Sequence, residues 1–327
     1  MHNIHKTALI GTGYWGSIIA KTLTKITKKK IIVFDKKKQN SKLLKKKFKQ
    51  IIIAKDFSEI LHDKNIENII LATHPSINFK LGKEILNRKK NLFVEKPIVT
   101  NQDKLLKLIR LSKKNNKILM GGYIYLYNSY IKKIKSIIDK KKLGQIKFIE
   151  IQRKNLGPIR NELDSHLDLG SHDISILKFF FKKKVIVKNI VKRNILKENI
   201  SDISSINLKI GQINCEIISS WLNPTKERKI LIIGSKKMLV FDEMEKTNKL
   251  KIFNKYAFYP PLTEFKKDYT SNNARIYLGK TKNIKVKEND TLKNELMHFE
   301  KKSYKNQEPL TNGRFCLDVL KTINYKS

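Results

Sequence analysis

Thr7-Ala8-Leu9-Ile10-Gly11-Thr12-Gly13-Tyr14-Trp15-Gly16 is the stretch that decides the fold. A short apolar run leads into a GxGxxG turn, and an amphipathic segment, Trp15–Ile26, leaves it. With a strand before it and a helix after it, the turn has a mechanical reading. Gly11 permits the tight bend, Gly13 lets backbone approach a pyrophosphate, and Gly16 lets helix and strand pack closely. The helix N-terminus then turns its free N–H groups toward the phosphates. Three of the 13 glycines fall in these six residues. Tyr14 and Trp15, inside the turn, are assigned to the cofactor with it. Asp35 lies 19 residues after Gly16, at the end of the next apolar run, Ile31–Phe34. A carboxylate there accepts hydrogen bonds from an adenosine ribose diol and repels a 2′-phosphate, so the expected cofactor is NAD. Lys36–Lys38 follow directly and leave NADP open.

Outward from the turn, β-branched runs recur at Ile51–Ile53, Ile69–Ala72, Leu92–Val94 and Ile118–Met120. Helix-like segments alternate with them: Ser41–Phe48, Phe57–His62, Ile77–Asn87 and Asp103–Lys114. Such alternation predicts a doubly wound parallel sheet with crossover helices, a Rossmann domain over 1–122. After Tyr123 the rhythm changes. A helix is expected over Ser129–Lys140, a strand over Ile146–Arg153 and a helix over Leu169–Phe181. Six closely spaced strands follow: Val185–Ile195, Ser204–Ile210, Ile213–Trp221, Ile230–Ile233, Met238–Phe241 and Leu250–Phe253. Lys255–Lys285 has no clear period, and two helices close the chain near Leu292–Tyr304 and Arg314–Ile323. This predicts an α+β second domain, 123–327, built on a mostly antiparallel sheet.

Two further motifs carry chemistry. Glu95-Lys96-Pro97 follows the fifth strand, on the side of such sheets where ligands collect, and a lysine there reaches a reacting oxygen. Asp168-Leu169-Gly170-Ser171-His172-Asp173 places a carboxylate four residues before an imidazole, on one face if the turn is helical. Such a pair raises the imidazole pKa, orients the ring and suits removal of a hydroxyl proton. His2, His5, His62, His74, His166 and His298 have no comparable partner spacing, and no metal-binding set is assigned.

Composition narrows the classes. The 70 Lys+Arg against 29 Asp+Glu give a charge of +41, but only eight of the basic residues are Arg. The lysines are spread over the whole length, and phosphate and base recognition favour the guanidinium fork, so the charge reads as solvated surface rather than a nucleic-acid interface. No apolar run approaches the roughly 18 residues needed to span a bilayer, and Cys215 and Cys316 alone make no disulfide scaffold. A reducing, cytoplasmic setting is expected.

Together the motifs resemble the glucose–fructose oxidoreductase, inositol dehydrogenase and MocA family (Gfo/Idh/MocA) of nicotinamide-dependent sugar oxidoreductases. The likeness runs through Gly11–Gly16, Ala72-Thr73-His74-Pro75, Glu95-Lys96-Pro97, Gly122–Asn128, Asp168–Ile174 and the closing Pro309-Leu310-Thr311-Asn312-Gly313-Arg314. It implies a catalytic set of Lys96, Asp168 and His172, a nicotinamide side lined by Thr73, Pro75 and Glu95, and a homo-oligomer, dimer or tetramer. Asn155–Arg160, His172–Ile176 and Ser220–Pro224 are similar to members acting on nucleotide sugars or amino sugars in surface-polysaccharide synthesis; inositols and free sugars are the alternative. Tyr125, Asn128, Arg153 and Arg160 are the candidate substrate contacts. The chain departs from many relatives at Ser175, where they carry Asp, and at Asn78, where they carry His.

Overall fold

The computed structural model describes residues 6–160, 163–259 and 274–324. The chain divides into two units, Met1–Tyr127 with Asn289–Lys321 and Asn128–Glu288 with Thr322–Ser327.

In the first unit, six strands form one parallel sheet: β1 (Lys6–Ile10), β2 (Ile31–Phe34), β3 (Ile51–Ile53), β4 (Ile66–Leu71), β5 (Asn91–Glu95) and β6 (Leu119–Gly122). Their spatial order, β3-β2-β1-β4-β5-β6, is that of a dinucleotide-binding doubly wound sheet. The connections are α1 (Tyr14–Ile26), α2 (Lys38–Lys47), α3 (Phe57–His62), α4 (Pro75–Asn87) and α5 (Gln102–Lys114). Ile69, Ile70 and Leu71 are fully buried, as an unbroken apolar strand must be when helices cover both faces. Local chemistry starts the helices: Asp56 accepts from Glu59 N, Asn101 accepts from Lys104 N, and Pro75 opens α4.

The predicted division at 122/123 differs from this partition, because the chain returns. α8 (Thr291–Tyr304) and most of α9 (Gly313–Ile323) belong to the first unit. Phe299 packs against Phe93 with ring centroids 5.7 Å apart, and Glu300 accepts from Thr7 Oγ1 and Asn68 Nδ2. Thr311 is stitched to Gly121 in both directions, Gly121 N to its carbonyl and its hydroxyl to the Gly121 carbonyl.

The second unit holds α6 (Ser129–Asp139), β7 (Ile146–Leu156), a π-helical turn (His166–Gly170), α7 (Ser171–Phe180) and seven further strands. These are β8 (Val185–Arg193), β9 (Ile203–Ile210), β10 (Ile213–Ser220), β11 (Leu222–Gly234), β12 (Met238–Asp242), β13 (Leu250–Phe258) and β14 (Arg275–Asn283). The sheet order is β14-β13-β12-β11-β7-β10-β9-β8, antiparallel throughout except for the β7–β10 pair. Strict alternation of buried and half-buried residues along β9 gives the sheet one core face.

Three details differ from the predicted elements. β11 starts at Leu222, well before Ile230, because pairing with β7 resumes across the polar Glu227–Lys229. The helix expected from Leu169 opens as a π turn. β14 lies in the segment without clear period; its Ile276 and Leu278 are exposed, so burial imposes no alternation on it, and the part of that segment at 260–273 lies outside the described residues. Among the described residues no helix is long and apolar enough to cross a membrane.

Candidate active site

The glycine turn is built as sterics require. Gly11 has φ +88°, and a Cβ there would meet the Ala72 carbonyl oxygen at 2.5 Å. A Cβ on Gly16 would lie 1.9 Å from the Gly11 carbonyl oxygen, so helix and turn touch backbone to backbone. Gly13 is the opposite case: a Cβ there would meet nothing within 4 Å. That space opens beside the start of α1, whose first turn carries no acid and no side-chain cap. Uncapped N–H groups beside open space fit a pyrophosphate. Tyr14 is exposed at this helix start and Trp15 is half-buried.

Asp35 is locked to the same turn. Its Oδ2 accepts from Thr12 N at 2.6 Å, Thr12 Oγ1 at 3.0 Å and Asn40 Nδ2 at 3.4 Å, and its Oδ1 accepts from Lys37 N at 2.8 Å. Burial alone would raise its pKa; the hydrogen bonds from Thr12, Lys37 and Asn40 outweigh it and hold the carboxyl below the usual range. An ionised acceptor therefore stands beside the turn at neutral pH.

At the next strand ends the predicted nicotinamide side is braced by a residue that sequence reasoning noted only as a departure. Buried Asn78 accepts from Thr73 Oγ1 at 2.6 Å and donates to the Pro97 carbonyl at 3.5 Å. It thus ties Thr73 and the start of α4 at Pro75 to the Lys96–Pro97 segment, whose peptide bond is cis. Glu95 lies over Gly122, where a Cβ would meet its Oε2 at 2.8 Å. Burial pushes Glu95 up to about 7, against the pull of the Trp15 indole N–H and the Lys96 ammonium. Trp15 Nε1 and Glu95 Oε1 nonetheless form no well-shaped hydrogen bond. A second carboxyl, Glu295, was missed. It is fully buried, neither oxygen has a hydrogen bond among the described residues, and burial together with Glu95 raises its pKa well above the usual carboxylate range. A signal existed: Leu292, Glu295, Leu296 and Phe299 share one face of α8, so Glu295 occupies a core position.

In the second unit, Asp168 lies inside the π turn and His172 in the first turn of α7, both half-buried. Asp168 and His172 share one face only across an α-helical turn, and the wider π turn changes that register. Asp168 Oδ2 accepts from Arg160 Nε at 3.1 Å, which joins a predicted substrate contact to a predicted catalytic acid. Ser175, where relatives carry Asp, donates to the His172 carbonyl at 2.6 Å.

Two candidate contacts have partners within the second unit. Arg153 is buried, with its guanidinium on Asp173 through contacts of 2.6–3.0 Å. Asn128 caps α6, accepting from Tyr130 N and Ile131 N. Tyr125 sits in a 3₁₀ turn, Ile124–Tyr127, of the first unit. His166, set aside in sequence, is buried 3.7 Å from Asp164; burial and the Lys192 ammonium lower its pKa to about 4 despite that acid.

Residues 5–123 match the family described as the oxidoreductase family with an NAD-binding Rossmann fold. Over that stretch the chain is similar to the Gfo/Idh/MocA oxidoreductases. The chain is 23% identical over 185 residues to an uncharacterized oxidoreductase, YrbE, of Bacillus subtilis, covering 55% of this chain and 54% of that one. It is 23% identical over 186 residues to a myo-inositol 2-dehydrogenase of Thermotoga maritima, covering 55% of this chain and 56% of that one. It thus spans about half the length of these curated relatives. Among solved structures, UDP-N-acetylglucosamine 3-dehydrogenase GnnA of Acidithiobacillus ferrooxidans superposes with a TM-score of 0.79 at 15% identity, over 98% of this chain and 95% of that one. That likeness is one of fold.

Proposed function

We propose that the protein is a nicotinamide-dependent sugar oxidoreductase that moves a hydride to or from a carbinol carbon. The observation that carries this reading is the glycine turn, with Asp35 bonded to Thr12 and open space over Gly13, in a domain of an NAD-binding family. When bound, the nicotinamide would supply the carbon that exchanges hydride. The chain's own groups do the rest. The His172 imidazole takes the hydroxyl proton during oxidation, oriented by Asp168. The Lys96 ammonium sets positive charge against the substrate oxygen. Thr73, Pro75 and Glu95 wall the nicotinamide side, and Tyr125 and Asn128 stand as further substrate contacts. The reading requires Lys96 and His172 to face one carbinol.

Arg160 beside Asp168 would answer a substrate phosphate, which favours a nucleotide sugar or related amino sugar, the class used in surface-polysaccharide synthesis. The name of the GnnA relative by fold is in keeping with that class. The Thermotoga relative favours a second reading, an inositol or free sugar. The protein is taken to act in the cytoplasm as a homo-oligomer, and light scattering on the purified chain reads the size.

The test follows nicotinamide absorbance with UDP-sugars, free sugars and inositols as separate panels. His172→Ala is expected to keep cofactor affinity while turnover falls at least about tenfold. Unchanged turnover removes His172 from its role. Cofactor binding without turnover of any panel leaves a sensor in place of an enzyme.

A further inference from the structure

Glu95 and Glu295 form an acid pair in the first unit that its packing does not explain. Three of their four carboxyl oxygens, Glu95 Oε1 and both of Glu295, are closed to solvent and have no hydrogen bond among the described residues. Buried polar groups left unpaired lower stability, so stability does not account for the cluster. The two acids are unlike. Glu295, on α8, is fully buried, and Tyr127 and Cys316 lie close enough to feel its charge. Burial holds that phenol and that thiol above their ordinary values, so neither carries charge near neutrality. Glu95 is half-buried at the carboxyl end of β5, where the Trp15 indole N–H and the Lys96 ammonium favour its charged form. Two like charges in one dry pocket disfavour each other. Only burial and the Glu95 charge act on Glu295, so it is the harder to ionise; Glu95 is the easier, at about 7. Across neutral pH the pair therefore gains its first negative charge on Glu95.

The place of that charge matters. Asp35, at the end of β2, marks the β3-β2-β1 half of the sheet for the adenosine of a dinucleotide, which leaves the β4-β5-β6 half for the nicotinamide. Glu95 ends β5, in that second half. An oxidised nicotinamide ring is a cation, and a reduced ring is neutral. A carboxylate in a poorly solvated site attracts a cation strongly and a neutral ring hardly at all. The Lys96 ammonium is present with either ring, so it weakens the preference without reversing it.

We propose that Glu95, backed by the uncharged Glu295, makes the site tell the two redox states of the nicotinamide apart by pH, favouring the oxidised cation once Glu95 has lost its proton. The inference rests on the nicotinamide reading above and adds to it a proton that follows the charge of the cofactor. Linkage fixes the sign. A cation bound beside Glu95 weakens its hold on the proton, so the oxidised form releases a proton on binding and binds more tightly as pH rises through about 7. The neutral reduced form does neither.

Calorimetry of the full chain with NAD and with NADH, from about pH 6 to about pH 8.5, tests this without any turnover. The affinity for NAD relative to NADH is expected to rise at least about fivefold over that range. Repeating the titrations in buffers of different ionisation enthalpy counts protons, and NAD should release a fraction of a proton that NADH does not. Glu95→Gln keeps the shape and removes the charge, and its affinity ratio should stay within about twofold across the same range. A wild-type ratio that pH does not move, or equal proton release with both forms, overturns the inference and leaves the nicotinamide reading standing. So does a pH dependence that survives Glu95→Gln and vanishes in His172→Ala, which assigns the proton to the imidazole. Binding of neither form at any pH overturns both.

Discussion

The glycine turn of the first unit and the Asp168–His172 turn of the second are both strand-to-helix junctions with chemistry attached, and they were not equally readable. At Gly11–Gly16 the chemistry is backbone: amides, a positive φ, and contacts too close for a Cβ. The positive φ at Gly11 and the close contact at Gly16 demand glycine, so residue identity reports geometry directly there. At Asp168–His172 the chemistry is side chain, and its geometry depends on how the backbone winds between the two residues. A π turn there is invisible to residue spacing, because π, α and 3₁₀ turns draw on the same residue types. Motifs that work through backbone announce themselves; motifs that work through side chains wait for the fold.

The largest effect is expected at the first turn. Gly16→Ala drives a methyl group into the Gly11 carbonyl, where neither backbone can retreat, and is expected to cost at least about 3 kcal/mol and abolish dinucleotide binding. Gly13→Ala sharpens the point. Its φ of −64° suits alanine and its Cβ meets open space, so thermal stability holds while dinucleotide affinity falls. If Gly13→Ala binds normally, the open space is not the phosphate's.

The second unit has its own sensitive point, away from the proposed catalytic pair. Asp173→Asn leaves the buried Arg153 guanidinium without its counter-charge and is expected to lower stability by about 3–5 kcal/mol, read by thermal melting. A nearly silent variant would show that the fold does not depend on this buried pair.

A smaller effect separates the units by pH. Burial raises Glu300 to about 7, opposed by hydrogen bonds from Thr7 and Asn68 and by the Lys29 ammonium. A carboxyl whose folded pKa is raised stabilises the fold fully below its unfolded value, and that contribution is lost as pH rises through about 7. The first unit should therefore lose about 3 kcal/mol from this group between pH 4.5 and well above 7, and Glu300→Gln should flatten the profile. His166 moves the second unit the other way. Its pKa is lowered to about 4, so stability is kept above its unfolded value and lost as pH falls toward 4. A Glu300→Gln melting profile identical to that of the wild type would remove Glu300 as the source.

Much of the architecture was readable in advance for a similar reason. β1 to β6 are short apolar runs because covered parallel strands have no polar face, and the strands of the second unit alternate because one face packs on a core. What escaped was long-range. The return of α8 and α9 to the first unit includes Phe299 on Phe93, Glu300 on Thr7 and Asn68, and Thr311 on Gly121, contacts made across more than 180 residues of chain. Asn78 looked like a gap in a motif and is a brace, and the buried pairing of Arg153 with Asp173 joins residues 20 apart.

By itself, then, the order of residues determined the strand and helix rhythm, the dinucleotide turn and the acid beside it, because period and glycine sterics act over a few neighbouring residues. Only the tertiary structure decided which carboxyls are buried without partners, which arginine is engaged in the core, how Asp168 is held and what surrounds Asp35. Those outcomes depend on desolvation and on partners distant in sequence, and no local pattern records either.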